Sequence, residues 1–218
     1  MKIYSYVVRY DDGVAPNPFW GYCTLAICKP DIRRAAEKGD WVIGTGSVEN
    51  VGNNKLIYAM KVTDKMLLED YASDKRFSRK IPVDKKGIKS LGDNIYYKDE
   101  NGIVRQRAPS AHSDDDRENS KHRKRDLSGI YVLISRAGNF YYFGKKAIKI
   151  PDKFLCLVKK GPKHKCDFPE SKISAFVRWI QKKKPGIYGH PYGYSKNIKG
   201  CNKENARALR PKPKHCGK

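Results

Sequence analysis

The sequence predicts an α+β fold, on three observations. Short runs rich in Val, Ile and Tyr recur along the chain, the composition of half-buried strands. Gly, Pro and Asp-Asp-Gly breaks separate these runs. Helical spacing is confined to three short stretches. The 218 residues, 39% of them hydrophobic, suffice for one sizeable core, or for one core with an extended arm.

Residues 3–10, rich in Tyr and Val, read as the first strand, and Asp11-Asp12-Gly13 ends it. A loop with Pro16, Asn17 and Pro18 follows and carries Phe19, Trp20 and Tyr22. The apolar run from Tyr22 to Cys28 is a short strand or the entry to a buried turn. Pro30 and Asp31 start a helix with Ile32, Ala35 and Ala36 on one face and Arg33, Arg34 and Lys38 on the rest; Gly39 stops it. The run Gly39-Asp40-Trp41-Val42-Ile43-Gly44-Thr45-Gly46-Ser47 is a strand leaving through a turn of small residues, whose backbone N–H groups are open. After a short loop, residues 55–63 form its apolar neighbour. Thr63 or Asp64 caps a second helix through Met66, Leu67, Leu68 and Tyr71.

Residues 98–126 are predicted to be a mobile loop, because 110–125 has no large apolar side chain and mixes Asp114-Asp115-Asp116 with Arg123-Lys124-Arg125. Residues 130–134 and 139–149 are strands joined by a hairpin turn at 135–138, and 154–158 is expected to pair as a further strand. Ile173, Phe176, Val177 and Ile180 fall at i, i+3, i+4 and i+7 of an amphipathic helix that Pro185-Gly186 ends. A coil-rich tail follows. The domain map is therefore 1–167 for the folded body and 168–218 for a basic helix and tail.

No apolar run reaches the roughly 20 residues of a membrane-spanning helix, and the N-terminus lacks the apolar region of a signal peptide. A cytoplasmic protein is expected, its six cysteines reduced. The net charge of +23 bears on partners rather than on fold: DNA or RNA, or a modified nucleotide, is the expected partner, and no membrane. From Lys159 to the end, seventeen Lys or Arg face three acidic residues. Tyr188, Tyr192 and Tyr194 are interleaved there. Arg33, Arg34, Arg178, Lys182, Lys183, Lys184, Lys196 and Lys199 are the candidate phosphate contacts, and tyrosine faces can stack on unpaired bases.

Gly44-Thr45-Gly46-Ser47 is neither a phosphate-binding P-loop nor a dinucleotide fingerprint. It lets a ligand approach the backbone, or it is simply a tight strand exit. Asn17 beside Phe19 and Trp20 could read the edge of a base while a ring stacks on it, or those rings could plug the core. Together, Asn17, Phe19, Trp20, Trp41, Gly44, Thr45, Gly46, Ser47 and Tyr58 make up a candidate base-binding slot. No cofactor is assigned. A zinc site from His164, Cys166, Cys201, His215 and Cys216 lacks the Cys-x2-Cys pairing of structural zinc, and no metal is assigned. A Cys nucleophile assisted by His has no local signature, and His112 and His122 fall in the predicted loop.

Tyr4 to Tyr10, Asp11-Asp12-Gly13, Asn17-Pro18-Phe19-Trp20-Gly21, Cys28-Lys29-Pro30, Ile32-Arg33, the 39–47 run and Leu56-Ile57-Tyr58-Ala59-Met60 together resemble a bacterial and phage family, the nucleotide modification associated domain of the second type. The resemblance covers residues 1 to about 167 and implies a link to systems that make or handle modified DNA bases. A weaker similarity is to the EVE, YTH and ASCH domains of the PUA-like group. It rests on element order and on Trp41 and Ser47, and it implies a small mixed or antiparallel β-barrel, PUA-like and EVE-like, whose aromatic pocket holds a modified base. Three readings stay open: a base-binding module, a transferase or hydrolase of a nucleotide or DNA-base modification pathway, and a basic accessory protein.

Overall fold

The computed structural model describes residues 1–83 and 87–193. Among them the chain forms β1 (Ile3–Val7), β2 (Tyr22–Leu25), α1 (Pro30–Ala35), β3 (Trp41–Thr45), β4 (Lys55–Lys61), β5 (Asp64–Leu67), α2 (Leu68–Ser73), β6 (Tyr96–Lys98), β7 (Val104–Gln106), α3 (Ser120–Leu127), β8 (Tyr131–Arg136), β9 (Phe140–Tyr142), β10 (Ile148–Lys149), β11 (His164–Lys165), α4 (Glu170–Gln181) and β12 (Gly186–Ile187). The α+β class is as predicted. None of these helices is long and apolar enough to cross a membrane.

Seven strands form a mixed sheet in the order β11-β1-β3-β4-β9-β12, with β10 paired to β4. β1 and β3 are parallel, Ile3 opposite Trp41 and Val7 opposite Thr45. A parallel pair needs a crossover, and the chain makes it through β2 and α1. β3 and β4 form the predicted antiparallel pair. The second sheet, β2-β8-β5, is antiparallel throughout.

Strand alternation sorts the core into layers. Ile3, Trp41, Ile43 and Tyr141 face α4, where Ile173, Phe176, Val177 and Ile180 supply the buried stripe predicted from their spacing. Tyr4, Tyr6, Val42 and Tyr142 face the other way, onto Cys23, Leu25 and Leu133 of the second sheet and Ile32 of α1. The far side of the second sheet, with Val132 and Ile134, packs on Tyr71, Phe77 and Tyr96. Strands covered on both faces read as continuous apolar runs, as β3 does.

Five expectations need correction. Among the described residues the sheets do not close into a barrel: β11 and β12 end the large sheet, and the second sheet lies over it. The reason is local. Residues 135–138 do not make a hairpin, because β8 pairs with β2 and β5 while β9 pairs with β4 and β12. Val132, Leu133, Phe140, Tyr141 and Tyr142 are all buried, so each strand needs partners on both edges, and the turn between them becomes a corner between sheets. Residues 152–157 form a 3-10 turn rather than a strand, and residues 64–67 a strand before the helix.

The fifth correction concerns residues 98–126, which hold β7 and α3 rather than a structureless loop. Polar contacts do there what apolar ones do elsewhere. The Gln106 N–H donates to Glu118 Oε1 at 2.8 Å, the Asn119 N–H donates to Gln106 Oε1 at 2.7 Å, and Asn119 Oδ1 caps α3 through the His122 N–H at 2.8 Å. Tyr96 and Asp126 are buried.

The glycines of the β3 exit serve the protein itself. A Cβ on Gly44 would lie 2.3 Å from the Tyr58 ring, and one on Gly46 would lie 2.2 Å from the Gly52 carbonyl oxygen. Gly46→Ala is therefore expected to cost about 1–3 kcal/mol, read as a lower urea midpoint at unchanged m-value. An unchanged midpoint would show that the 47–52 loop yields freely.

Candidate active site

The predicted base slot is not assembled. Asn17, Phe19, Thr45 and Tyr58 are fully buried, Trp41 is 2% exposed, and Ser47 is buried too. Trp41 stacks on Tyr141 in the α4 core at 6.4 Å, Tyr58 belongs to the core between the sheets, and Phe19 packs edge-on to the half-buried Trp20 in a third cluster. The Asn17 carboxamide is used internally: Nδ2 donates to Leu91 O at 2.6 Å and Gly13 O at 3.2 Å, while Oδ1 accepts from the buried ammonium of Lys80 at 2.5 Å. These residues pack the core instead of opening a pocket.

The expected phosphate contacts divide. Arg33 is fully buried: it donates to the carbonyls of Cys28 at 2.9 Å, Tyr131 at 2.8 Å and Asp126, so its guanidinium holds backbone rather than ligand. Arg34 is exposed and donates to Ser128 O and Asp31. Arg178, Lys182 and Lys184 are exposed and Lys183 half-exposed on α4 and its exit. Lys196 and Lys199, like Tyr194, Cys201, His215 and Cys216, lie outside the described residues.

The structure brings together three residues that the sequence keeps far apart. Cys28 lies in the strand-to-helix turn between β2 and α1. It has φ 58° and Lys29 has φ 41°, two consecutive non-glycine residues in the left-handed region, a conformation costing of order 1–3 kcal/mol each. Two contacts hold the turn: the Cys28 N–H donates to Asp126 Oδ1 at 2.9 Å, and the Cys28 carbonyl accepts from Arg33 Nε at 2.9 Å. The side chain emerges half-exposed.

His112 stands against it. Its Nε2 is 3.5 Å from Cys28 Sγ, and its Nδ1 is 2.5 Å from Asp126 Oδ2. Asp126, at the C-terminal end of α3, is fully buried and also accepts from the Tyr96 hydroxyl at 2.9 Å. Burial opposes the charged form of His112, but the hydrogen bonds to Asp126 and Cys28 outweigh it and lift its pKa to about 9. Burial raises Asp126 in turn, and His112 foremost among its donors brings it below the ordinary carboxylate value. The His122 ring meets His112 edge-on at 4.6 Å, and burial, with the His112 charge, lowers its pKa.

Sulfur, imidazole and carboxylate thus stand in series. A carboxylate that orients an imidazole toward a thiol is the arrangement of Cys–His nucleophilic catalysis. The strained strand-to-helix turn is the device by which unrelated hydrolases expose their nucleophile. The donor atoms of Cys28, His112 and Asp126 lie within 4.8 Å of one another, close enough to suggest a metal site. The carboxylate, however, bonds the imidazole nitrogen opposite the sulfur, so the three do not converge as ligands of one ion do. The one sequence signal was position: Cys28 ends the apolar run that starts at Tyr22, two residues before Pro30 opens a helix.

The family described as nucleotide modification associated domain 2 matches residues 1–198 of this chain. No curated protein and no solved structure matches it.

Proposed function

The chain belongs to the nucleotide modification associated domain 2 family, and from that premise we propose that it is a thiol enzyme of nucleotide or DNA-base modification, with Cys28 as nucleophile, His112 as its acid–base partner and Asp126 as the residue that positions His112. The observation that carries this is the series Sγ–imidazole–carboxylate, at 3.5 and 2.5 Å, at a strained turn.

The reaction class is transfer or hydrolysis at an acyl carbon. The Cys28 thiolate adds to that carbon. The bond to the leaving group breaks as the His112 imidazolium gives it a proton, which leaves a thioester on Cys28. Water, or an acceptor amine or hydroxyl, then attacks the thioester. Neutral His112 takes the incoming proton, and the thiolate departs from the acyl carbon, regenerating free enzyme. Asp126 stays ionised throughout. The exposed cations of α4 and Arg34 support a role for the basic surface in holding nucleic-acid or nucleotide phosphates. The PUA-like comparison carries over only as the expectation that the substrate presents a modified base.

The test is site-resolved alkylation with iodoacetamide at pH 7. Cys156 is exposed and Cys28 only partly so. An activated Cys28 is expected to react about tenfold faster or more despite this. Faster labelling of Cys156 would overturn the assignment. Acylation by p-nitrophenyl acetate should map to Cys28 as one equivalent and disappear in Cys28→Ser.

A further inference from the structure

We propose that the substrate reaching Cys28 is part of a polynucleotide, carried to the thiol along helix α3; this rests on the thiol reading above and names its substrate class. The eight residues of α3 run Ser-Lys-His-Arg-Lys-Arg-Asp-Leu. Lys121, Lys124 and Arg125 are exposed, while Arg123 is paired with Glu118 at 2.6 Å. Asp126, the helix's only acidic residue, is turned inward and fully buried; it touches His112 and, at 3.5 Å, Arg125, and no ion pair joins it to Lys121 or Lys124. The cations therefore end where the carboxylate that positions His112 begins.

Lys121 and Lys124, three apart, share a face. At 1.5 Å per residue the row from Lys121 to Arg125 covers about 6 Å along the helix axis, enough for more than one cation to meet the same strand. Two further cations continue it. Arg34 is tied to Ser128 O beyond the helix end and also pairs with Asp31, and Lys29, next to Cys28, has its ammonium 4.4 Å from the Tyr6 ring. Burial, foremost, and the charge of Arg125 lower the Lys29 pKa. The other end of the row is closed by Asp114, Asp115 and Asp116 before the helix starts, so a polyanion following the cations is turned toward the thiol rather than past α3. A free mononucleotide has one phosphate group to offer this row; a strand has several.

Protection of Cys28 from iodoacetamide tests this, with Cys156 as the reference in the same molecules. A 20-residue single-stranded DNA of random sequence is expected to slow Cys28 labelling tenfold or more at 50 mM salt, and mixed nucleoside monophosphates at equal phosphate concentration are not. With three cations engaged, the apparent affinity should fall with salt at a log–log slope of about −2. Lys121→Glu with Lys124→Glu should abolish protection while leaving the labelling rate without DNA unchanged. No protection by DNA, equal protection by monophosphates, or full protection of the double variant each overturns the proposal. Its failure is distinct from that of the thiol reading: slow labelling of Cys28 in free protein defeats the nucleophile, whereas DNA that leaves a reactive Cys28 unshielded defeats only the polynucleotide.

Discussion

His112→Asn is expected to slow alkylation of Cys28 about 10²-fold at pH 7, with Cys156 keeping its rate. Asparagine still donates a hydrogen bond but carries no positive charge and no proton to exchange, so it neither favours the attacking sulfur nor protonates a leaving group. The same substitution has a second readout, in stability. The folded pKa of His112, about 9, lies above the ordinary 6.5. Between those values the folded chain holds a proton that the unfolded chain has released. Stability from this group is therefore fully present below pH 6.5 and is lost as pH rises through 9, with a size on the order of 3 kcal/mol. The deficit of His112→Asn in urea unfolding should be large at pH 6 and should shrink toward pH 9–10. A deficit that ignores pH would mean that the imidazole does not hold a proton of its own beside Asp126 in the folded protein.

How much of this was legible in the sequence depends on the kind of contact. The stripe of α4 and the β3–β4 pair were readable, because hydrophobic period and small-residue punctuation are local. The active residues were not: Cys28 is separated from His112 by 84 positions and from Asp126 by 98, and no spacing rule spans such gaps. The stretch that holds two of the three reads as a loop because it lacks large apolar side chains. What orders it is a set of polar contacts, Gln106 with Glu118 and Asn119, and Asp126 with Cys28, Tyr96 and His112, which hydrophobic patterning cannot register. The misassigned slot has the opposite cause. Trp41, Phe19 and Asn17 look like ligand-binding residues in isolation, but a sheet covered on both faces needs large rings on both sides, and a proline-rich loop crossing a core needs an internal carboxamide to satisfy its carbonyls.

That internal carboxamide belongs to the network whose disruption should cost the most. Lys80, 1% exposed, donates from Nζ to Asn17 Oδ1, Asn17 O and Tyr22 O. Asp93, also 1% exposed, accepts from Thr24 Oγ1 at 2.6 Å and from the Tyr71 hydroxyl at 2.7 Å. Burial lowers the Lys80 pKa to about 8, and the negative charge of Asp93 resists that fall. Asp93→Ala removes the opposing charge and leaves two buried hydroxyls without an acceptor. A loss of about 3–5 kcal/mol is expected at pH 7, seen as a melting temperature lower by about 10 °C. The pH dependence separates charge from packing. Because the folded value of Lys80, about 8, lies below its ordinary 10.5, the unfolded chain binds the extra proton between them, and this group's contribution to stability rises with pH across that window. In Asp93→Ala the ammonium loses its proton at still lower pH, so both proteins carry a neutral Lys80 by pH 9 and the deficit should be smaller there than at pH 7. A deficit equal at both would place the whole cost in the hydroxyl contacts and none in the buried charge.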